Sequence, residues 1–473
     1  MELNIDKNTV EYKVIQLIST AIKNTIFENK CYLVGGSIRD LILGYNKIKD
    51  IDIVVELDNG GFLFADFICK HFACYKKDSN PIIFERFGTA KFNIVGYENV
   101  DIECVFTRTE IYNENDRKPI VGFGTLLDDA KRRDLTINTV SMNLSDFKIH
   151  DLLNGIGDIK NKIIRTPLNP TLTFTDDTLR MLRVIRFAYK YNFKIQDDVL
   201  EALFLCSSKL QYISKERIND EFMKILSIEN SDSVVSAIRL LVDTNMIEYI
   251  IPQLKYTINV KQNKYHDKDV YNHILEVVRN CKADKYLRLA ALLHDIGKPF
   301  STQNVNDTVK FKEHDKVGSD MVVDILTRLK FPNDIIVKIQ KAVFNHMRCK
   351  TYLDDLSGCT DKVIRKSIVD LDEDLEFCLV LIDADNKSHK PCYNLNNQII
   401  LLKDKIKSLK VNDNNVIYSN PPIDGFDIMK FLNVQKGCKD VGIIMNYCKD
   451  LYLENSQLTK EDFIELINVK FKK

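Results

Sequence analysis

Residues 31–56, CYLVGGSIRDLILGYNKIKDIDIVVE, constrain this chain more tightly than any other stretch. An apolar strand runs into Gly35-Gly36-Ser37, a short helix follows, and a second strand carries Asp50 and Asp52. Strand residues two apart point to one face, so the two aspartates present their carboxylates together, as hard divalent cations require. The glycines deliver the chain onto a helix N-terminus, where backbone N–H groups and the helix dipole favour phosphate. A phosphate cradle facing a carboxylate pair points to nucleotide chemistry with Mg²⁺.

The chain is 473 residues long, enough for about three domains with their own cores. Its 67 basic and 67 acidic residues balance, so any nucleic-acid surface has to be a local patch. The twelve cysteines form no C-x-x-C pair, and the closest spacing is Cys69 with Cys74, which excludes a zinc ribbon and predicts reduced core thiols. A polar N-terminal stretch and the lack of any run of 18 apolar residues predict no secretion, no membrane span and a cytoplasmic location.

The pairing of GGSIRD with DID resembles the polymerase-β-type nucleotidyltransferase superfamily, and within it the class II branch of bacterial tRNA CCA-adding enzymes and poly(A) polymerases. The segments YLVGG, IDIVVE, GFLFADFICKHF, PIIFERF, AKFNIV and VDIECVF read as a mixed α/β head with a small sheet. In VDIECVF, Asp101 and Glu103 share a strand face, and the resemblance makes Glu103 the third catalytic acid beside Asp50 and Asp52. It also implies two Mg²⁺ ions on Asp50 and Asp52, and Gly36, Ser37 and Arg39 around the triphosphate. Arg132, Arg133, Asp134 and Asn138 match the family's RRDxTxN run, which places Arg133 and Asp134 against the sugar and phosphates of the nucleotide. Ser141 stands where the family usually has Ala, and Asp151, Gly155 and Asp158 match its connecting motif, a hinge into the neck. Thr107 to Pro119 occupies the position of a flexible family segment that reshapes the pocket between C and A addition.

A neck helix is expected through TDDTLRMLRVIRFAYKY, with Thr175 as its N-cap, Leu182, Ile185 and Tyr189 on an apolar stripe, and Arg180, Arg183 and Arg186 on the next. From Asp129 to Lys190 there are eleven basic and seven acidic residues, a local excess suited to a triphosphate and an RNA end. Asp177 and Arg180, three apart, offer an acceptor and a donor fork. Cytosine and adenine each set an exocyclic amine beside a ring-nitrogen acceptor and satisfy both groups. Uracil and guanine invert the pattern and leave buried groups unpaired, at about 1 to 3 kcal/mol each. The same residues resemble the class II EDxxR motif, with Asp176 in place of its Glu, and Glu216, Arg217 and Lys224 resemble the family's last neck motif, which braces the helices.

Six of the eight histidines lie between His266 and His389. The order His273, His294-Asp295, His314, His346, Asp383 resembles the HD superfamily of metal phosphohydrolases. By that resemblance His273, His294, Asp295 and Asp383 hold a divalent transition metal, and His314 and His346 serve a second metal or a phosphate.

These readings combine into an α+β chain: a polymerase-β-type nucleotidyltransferase head with a small mixed sheet (1–145), then all-helical neck (146–262), HD (263–395) and tail (396–473) domains. The implied activity is Mg²⁺-dependent, template-independent addition of the CCA 3′ end to tRNA from CTP and ATP, with HD phosphohydrolase activity attached. The alternatives are a poly(A) polymerase, a CC-only or A-only enzyme, or an HD nucleotide phosphohydrolase with a non-catalytic head.

Overall fold

The computed structural model describes residues 5–48, 50–72, 81–84, 88–111, 120–263, 265–305, 308–348, 359–390, 393, 396–412, 417 and 420–471. Two compact units emerge, Met1–Ile225 with Ser236–Tyr249, and Leu226–Val235 with Ile250–Lys473. No helix among the described residues is long and apolar enough to cross a membrane.

The first unit is built on a mixed sheet of seven strands, in the order β3 (Ile82–Phe84), β4 (Thr89–Phe92), β5 (Ile102–Phe106), β2 (Ile51–Val55), β1 (Cys31–Leu33), β8 (Ser141–Asn143), β9 (Ile149–His150). Only β2 and β5 run parallel, and this brings Asp52 into register with Glu103. Helices α1 (Val10–Ala21) and α3 (Gly60–Phe72) cover the apolar face. Val14, Ile15 and Ile18 of α1 and Phe64, Ala65 and Ile68 of α3 share one core with Ile51, Ile53, Ile102 and Cys104 of the central strands. The odd positions of β2 are thereby committed to the core, so Asp52 is left to point the other way. Strands β6 (Arg108–Ile111) and β7 (Ile120–Phe123) form a separate antiparallel pair. Residues 112–119, most of the expected lever, lie outside the described residues.

After α4 (Leu126–Lys131), a buried 3₁₀ turn at Thr136–Asn138 leads into β8. Asp151 accepts the first backbone N–H groups of α5 (Gly155–Asn161), at 2.6 Å from Gly155 and 3.0 Å from Ile156, and the buried Asp158 carboxylate accepts the Thr136 hydroxyl at 2.6 Å. The hinge motif thus ties the helix to the RRDLTIN run. The neck continues through α6 (Pro170–Asp176), α7 (Arg180–Tyr191), α8 (Asp197–Cys206), α9 (Lys215–Leu226) and α10 (Ser231–Asp243).

Two expectations about the neck need correction. It is not one helix from Thr175: α6 starts at Pro170, capped by Asn169, whose side chain accepts from Thr171 and Leu172. The chain then breaks at Asp177, which has extended backbone, before α7 begins. Proline at the first helical position and an asparagine cap set that earlier start. The neck is also not all-helical, because Ile163–Ile164 (β10) pairs parallel with Lys194–Ile195 (β11). Two-residue strands leave no alternation to read.

The second unit carries α11 (Val270–Asn280), α12 (Lys285–Leu293), α13 (His314–Arg328), α14 (Asn333–Asn345), α15 (Asp361–Leu371), α16 (Leu375–Lys387) and α17 (Asn396–Asn412). Here too a hairpin, β12 (Thr302–Val305) with β13 (Thr308–Phe311), corrects the all-helical expectation. Helices Gly425–Leu432, Lys439–Glu454 and Lys460–Phe471 close on a core of their own around Ile428, Ile444, Cys448, Phe463 and Ile467. Among the described cysteines eight are free thiols, six of them buried, whereas Cys69 is disulfide-bonded, against the expectation of reduced thiols throughout.

Candidate functional site

Gly35, at φ 80°, makes the turn between β1 and α2 (Gly36–Ile42), and a side chain there would come within 3.3 Å of an Asp52 carboxylate oxygen. Ser37 donates its hydroxyl to the Asp50 carbonyl at 2.7 Å, which fixes the start of β2 against the turn. Asp50 itself precedes the strand and is exposed, Asp52 is half-buried, and Glu103 is exposed one strand away. Asp101 lies just before β5, ion-paired to Lys91 at 2.8 Å, and does not join these acids. Burial, the neighbouring Glu103 and the Asp50 charge push the Asp52 carboxyl up to about 6. Asp52 thus feels repulsion from Glu103 and Asp50 at the start of the central strands β2 and β5, a repulsion that a divalent cation would relieve.

Gly35, Gly36 and Asp52 line one end of a cavity of about 520 Å³. Arginines line the rest, each held by a different device. Buried Asp129, on α4, bonds both Arg132 at 2.5 Å and Arg133 at 2.9 Å. Burial alone would push Asp129 up, but the two guanidiniums outweigh it and hold it below the usual carboxylate range. Asp134 pairs with Arg183 at 2.7 Å and accepts from Asn138 at 2.9 Å; burial opposes its charge, and Arg183 and Asn138 prevail. Arg186 pairs with buried Glu221 at 2.7 Å. Arg180 donates to the Thr173 and Arg132 carbonyls, at 3.2 and 2.6 Å, and Asp177 meets Arg217 at 2.9 Å.

The structure therefore gathers Gly36, Arg39, Asp52, Arg133, Asp134, Asp177, Arg180, Arg183 and Arg186 around one cavity, and leaves Ser37 beneath it as a brace. Asp177 and Arg180 face this space from either side of a helix break, so their expected i, i+3 geometry on one helix is corrected. Arg217, Phe187 and Lys190 also line it without having been singled out as ligand contacts. For Asp129, acidic at three and four residues before the arginine pair on a helix, the spacing was a usable signal.

A second constellation lies in the other unit. His273, His294 and Asp385 bring ligand atoms within 4.8 Å of one another, and Asp295, His314 and His346 do the same. Asp295 links the groups, 3.1 Å from His294 Nε2, 3.4 Å from both His273 and His314, and 3.7 Å from His346. His294, His314 and His346 each use Nδ1 on the carbonyl three residues back, Ala291, Phe311 and Val343, at 2.6 to 2.9 Å. With Nδ1 donating, Nε2 is a lone-pair ligand aimed inward, and all three Nε2 atoms are buried and have no hydrogen-bond partner. Burial pushes His273 and His314 down to about 4, so both are neutral imidazoles at pH 7, the form that ligates metal. The donor set thus fits divalent transition metal.

The expected ligand Asp383 is not among these groups. Asp383 points outward, pairing with Lys387 at 2.7 Å, and buried Asp385, 3.2 Å from His273, takes its place. Two residues turn a helix by about 200°, so the two acids of LIDADN face opposite sides of α16. Lys298, the lysine of HDIGK, completes the centre at 2.6 Å from Asp295.

A nucleotidyltransferase-type head on a helical neck, followed by a histidine–aspartate helical module, is the class of protein that these elements define. Family models agree: residues 31–165 match the Poly A polymerase head domain, 192–258 the probable RNA and SrmB-binding site of polymerase A, and 270–376 the HD domain. Models of the poly(A) polymerase head, its RNA-binding segment and the HD domain thus match successive parts of the chain, together the larger part of its length. The chain is 33% identical over 249 residues to the mitochondrial CCA tRNA nucleotidyltransferase of Saccharomyces cerevisiae, covering 47% of this chain and 45% of that one. It is 30% identical over 234 residues to the A-adding tRNA nucleotidyltransferase of Deinococcus radiodurans, covering 47% and 52%. The chain spans about half the length of the first curated relatives it matches. In fold it is similar to the Bacillus stearothermophilus CCA-adding enzyme in complex with CTP, at TM-score 0.62 and 19% identity over 97% of both chains.

Proposed function

We propose that this chain rebuilds the CCA 3′ end of tRNA from CTP and ATP without a template, using Mg²⁺. The observation that carries the reading is Asp52, in register with Glu103 on the neighbouring strand, lining the same cavity as the arginines, so that a nucleotide's α-phosphate would meet the acid and its other phosphates the guanidiniums. Asp50 and Asp52, with Glu103 in support, would hold the divalent ions, which when bound supply charge neutralisation at the phosphates and a more acidic 3′-hydroxyl. Gly35 and Gly36 bring backbone N–H groups to the triphosphate, Arg133 and Asp134 flank the sugar, and Asp177 with Arg180 reads the base edge. Arg217 donates to one Asp177 oxygen, the Leu179 backbone N–H donates to the other, and two carbonyls hold the Arg180 fork, so both reading groups are fixed in orientation. Such preorganisation reduces the ordering cost of binding.

Asp177→Ala or Arg180→Ala is expected to weaken CTP and ATP and to admit UTP or GTP, since each removes a group that penalises the wrong edge by about 1 to 3 kcal/mol. Single-nucleotide incorporation with each NTP measures it; full discrimination at reduced rate would place base reading elsewhere. The activity itself is tested by offering tRNA that lacks its end each labelled NTP singly. CTP alone should be added, and ATP should be added only onto tRNA ending in CC. Addition of many A residues would favour a poly(A) polymerase, and of C alone or A alone a specialised sibling.

At the HD centre the convergence of four buried imidazoles and two buried aspartates supports a second activity, metal-dependent phosphoester hydrolysis.

A further inference from the structure

Arg39 stands at the phosphate end of the cavity, almost wholly buried, with its Nη2 so close to Gly36 that a side chain there would meet it at 3.2 Å. Its guanidinium is held from three directions. Nε and Nη2 donate to Asp40 Oδ1 at 2.9 and 2.7 Å, and Nη1 donates to Asn138 Oδ1 at 2.6 Å. The carbon of the fork sits 4.8 Å from the Phe187 ring centre and 5.0 Å from that of Tyr191. The two rings are parallel within 4°, with centroids 6.0 Å apart. Three of five N–H donors are committed, which leaves two for a ligand.

The Tyr191 hydroxyl donates to the same Asp40 oxygen at 2.9 Å. On the far side, Asn138 donates to Asp134, and Asp134 accepts from Arg183 at 2.7 Å. The contacts close on themselves: Tyr191, Asp40, Arg39, Asn138, Asp134, Arg183, with both ends on α7 about 12 Å apart along its axis. A closed ring of charge-assisted bonds fixes each member more tightly than an open pair would. Tyr191 is the member that contributes both a bond and a ring face; it ends the stretch TDDTLRMLRVIRFAYKY, in which the sequence assigns it no role.

We propose that Tyr191 is a positioning residue for the triphosphate, holding Asp40 and the Arg39 fork so that the two remaining N–H groups meet phosphate oxygens. This rests on the reading of the cavity as a nucleotide site. It requires that the effect be blind to the base, because the clamp acts at the phosphate end, whereas changes at Asp177 or Arg180 discriminate among bases.

The test compares Tyr191→Phe, which keeps the ring and loses the hydroxyl, with Tyr191→Leu, which loses both, in the full chain with Mg²⁺. Calorimetric binding of CTP, ATP and inorganic tripolyphosphate requires no turnover, so it reads the proposal even if nucleotide addition fails. Tyr191→Phe should weaken all three by a common factor of about five, the worth of one hydrogen bond, and Tyr191→Leu by a larger common factor. In turnover, KM for both nucleotides should rise by that factor while kcat and KM for tRNA stay near the parent values. A bracing role alone would lower Tm and the active fraction and leave nucleotide affinity unmoved. Unchanged affinity of Tyr191→Phe for all three ligands, or weakening of one base only, overturns the proposal. Absence of incorporation by the parent chain would instead defeat the functional reading while the tripolyphosphate result still decides the clamp.

Discussion

Asp52→Asn is expected to lower nucleotide addition by more than about a thousandfold, to leave tRNA binding nearly intact, and to raise the stability of the metal-free chain. The two effects share one cause. Asp52 carries charge in a half-buried place beside Glu103 and Asp50, and its carboxyl is pushed up to about 6. A folded-state value above the ordinary 3.8 means that the folded chain binds this proton more tightly than the unfolded chain does. The native state therefore loses stability as pH rises from about 4 to about 6, and above that the deficit is constant, on the order of 3 kcal/mol. Asparagine removes the deficit, so the metal-free Tm of the variant should exceed the parent's at pH 7.5 and match it near pH 4. Mg²⁺ should raise the parent's Tm and have much less effect on the variant's. Turnover near the parent rate would remove Asp52 from the mechanism; a lower variant Tm at pH 7.5 would show that the carboxylate is a structural anchor and not a repelled ligand.

The second large effect concerns the HD centre and separates two acids on opposite faces of one helix. Asp385→Asn should reduce bound transition metal, measured by plasma mass spectrometry after metal loading, by at least tenfold, and should abolish phosphodiester hydrolysis. Asp383→Asn should change neither, because its carboxylate pairs with Lys387 on the outer face. Asp295→Ala should remove metal from both groups at once, since that one carboxylate lies within 3.7 Å of four imidazoles. It also leaves Lys298 buried without its carboxylate, so some loss of stability is expected, and Asp385→Asn is the cleaner test. Both variants should add nucleotides at the parent rate. Equal metal loss from Asp383→Asn and Asp385→Asn would contradict the assignment.

The contrast between these two sites shows what the sequence makes legible. GGSIRD, DID and RRDLTIN are contiguous, and their functional groups follow from strand alternation and helix starts, so the cavity's lining was readable in large part. The sequence could not show which partner orients each group. That Asp134 holds Arg183 and Glu221 holds Arg186 depends on tertiary separations of 49 and 35 residues. The misplaced helix start came from reading Thr175 as a cap when Asn169-Pro170 supplied a stronger one six residues earlier. The choice of Asp383 over Asp385 is a phase error on α16: LIDADN offers two acids, and only the packing of that helix against α11, with His273 on it, decides which one turns inward. Tyr191 was invisible for the same reason, since its partner Asp40 lies 151 residues away.

The most direct measurement is the intact mass of a tRNA lacking its last three nucleotides after incubation with this chain, Mg²⁺ and all four NTPs together. Addition of two C residues and one A, with no longer product and no U or G, is the expected result, and the same reaction with Asp52→Asn should return the tRNA unextended. An unextended tRNA with the parent chain, or a ladder of products beyond three nucleotides, would contradict it.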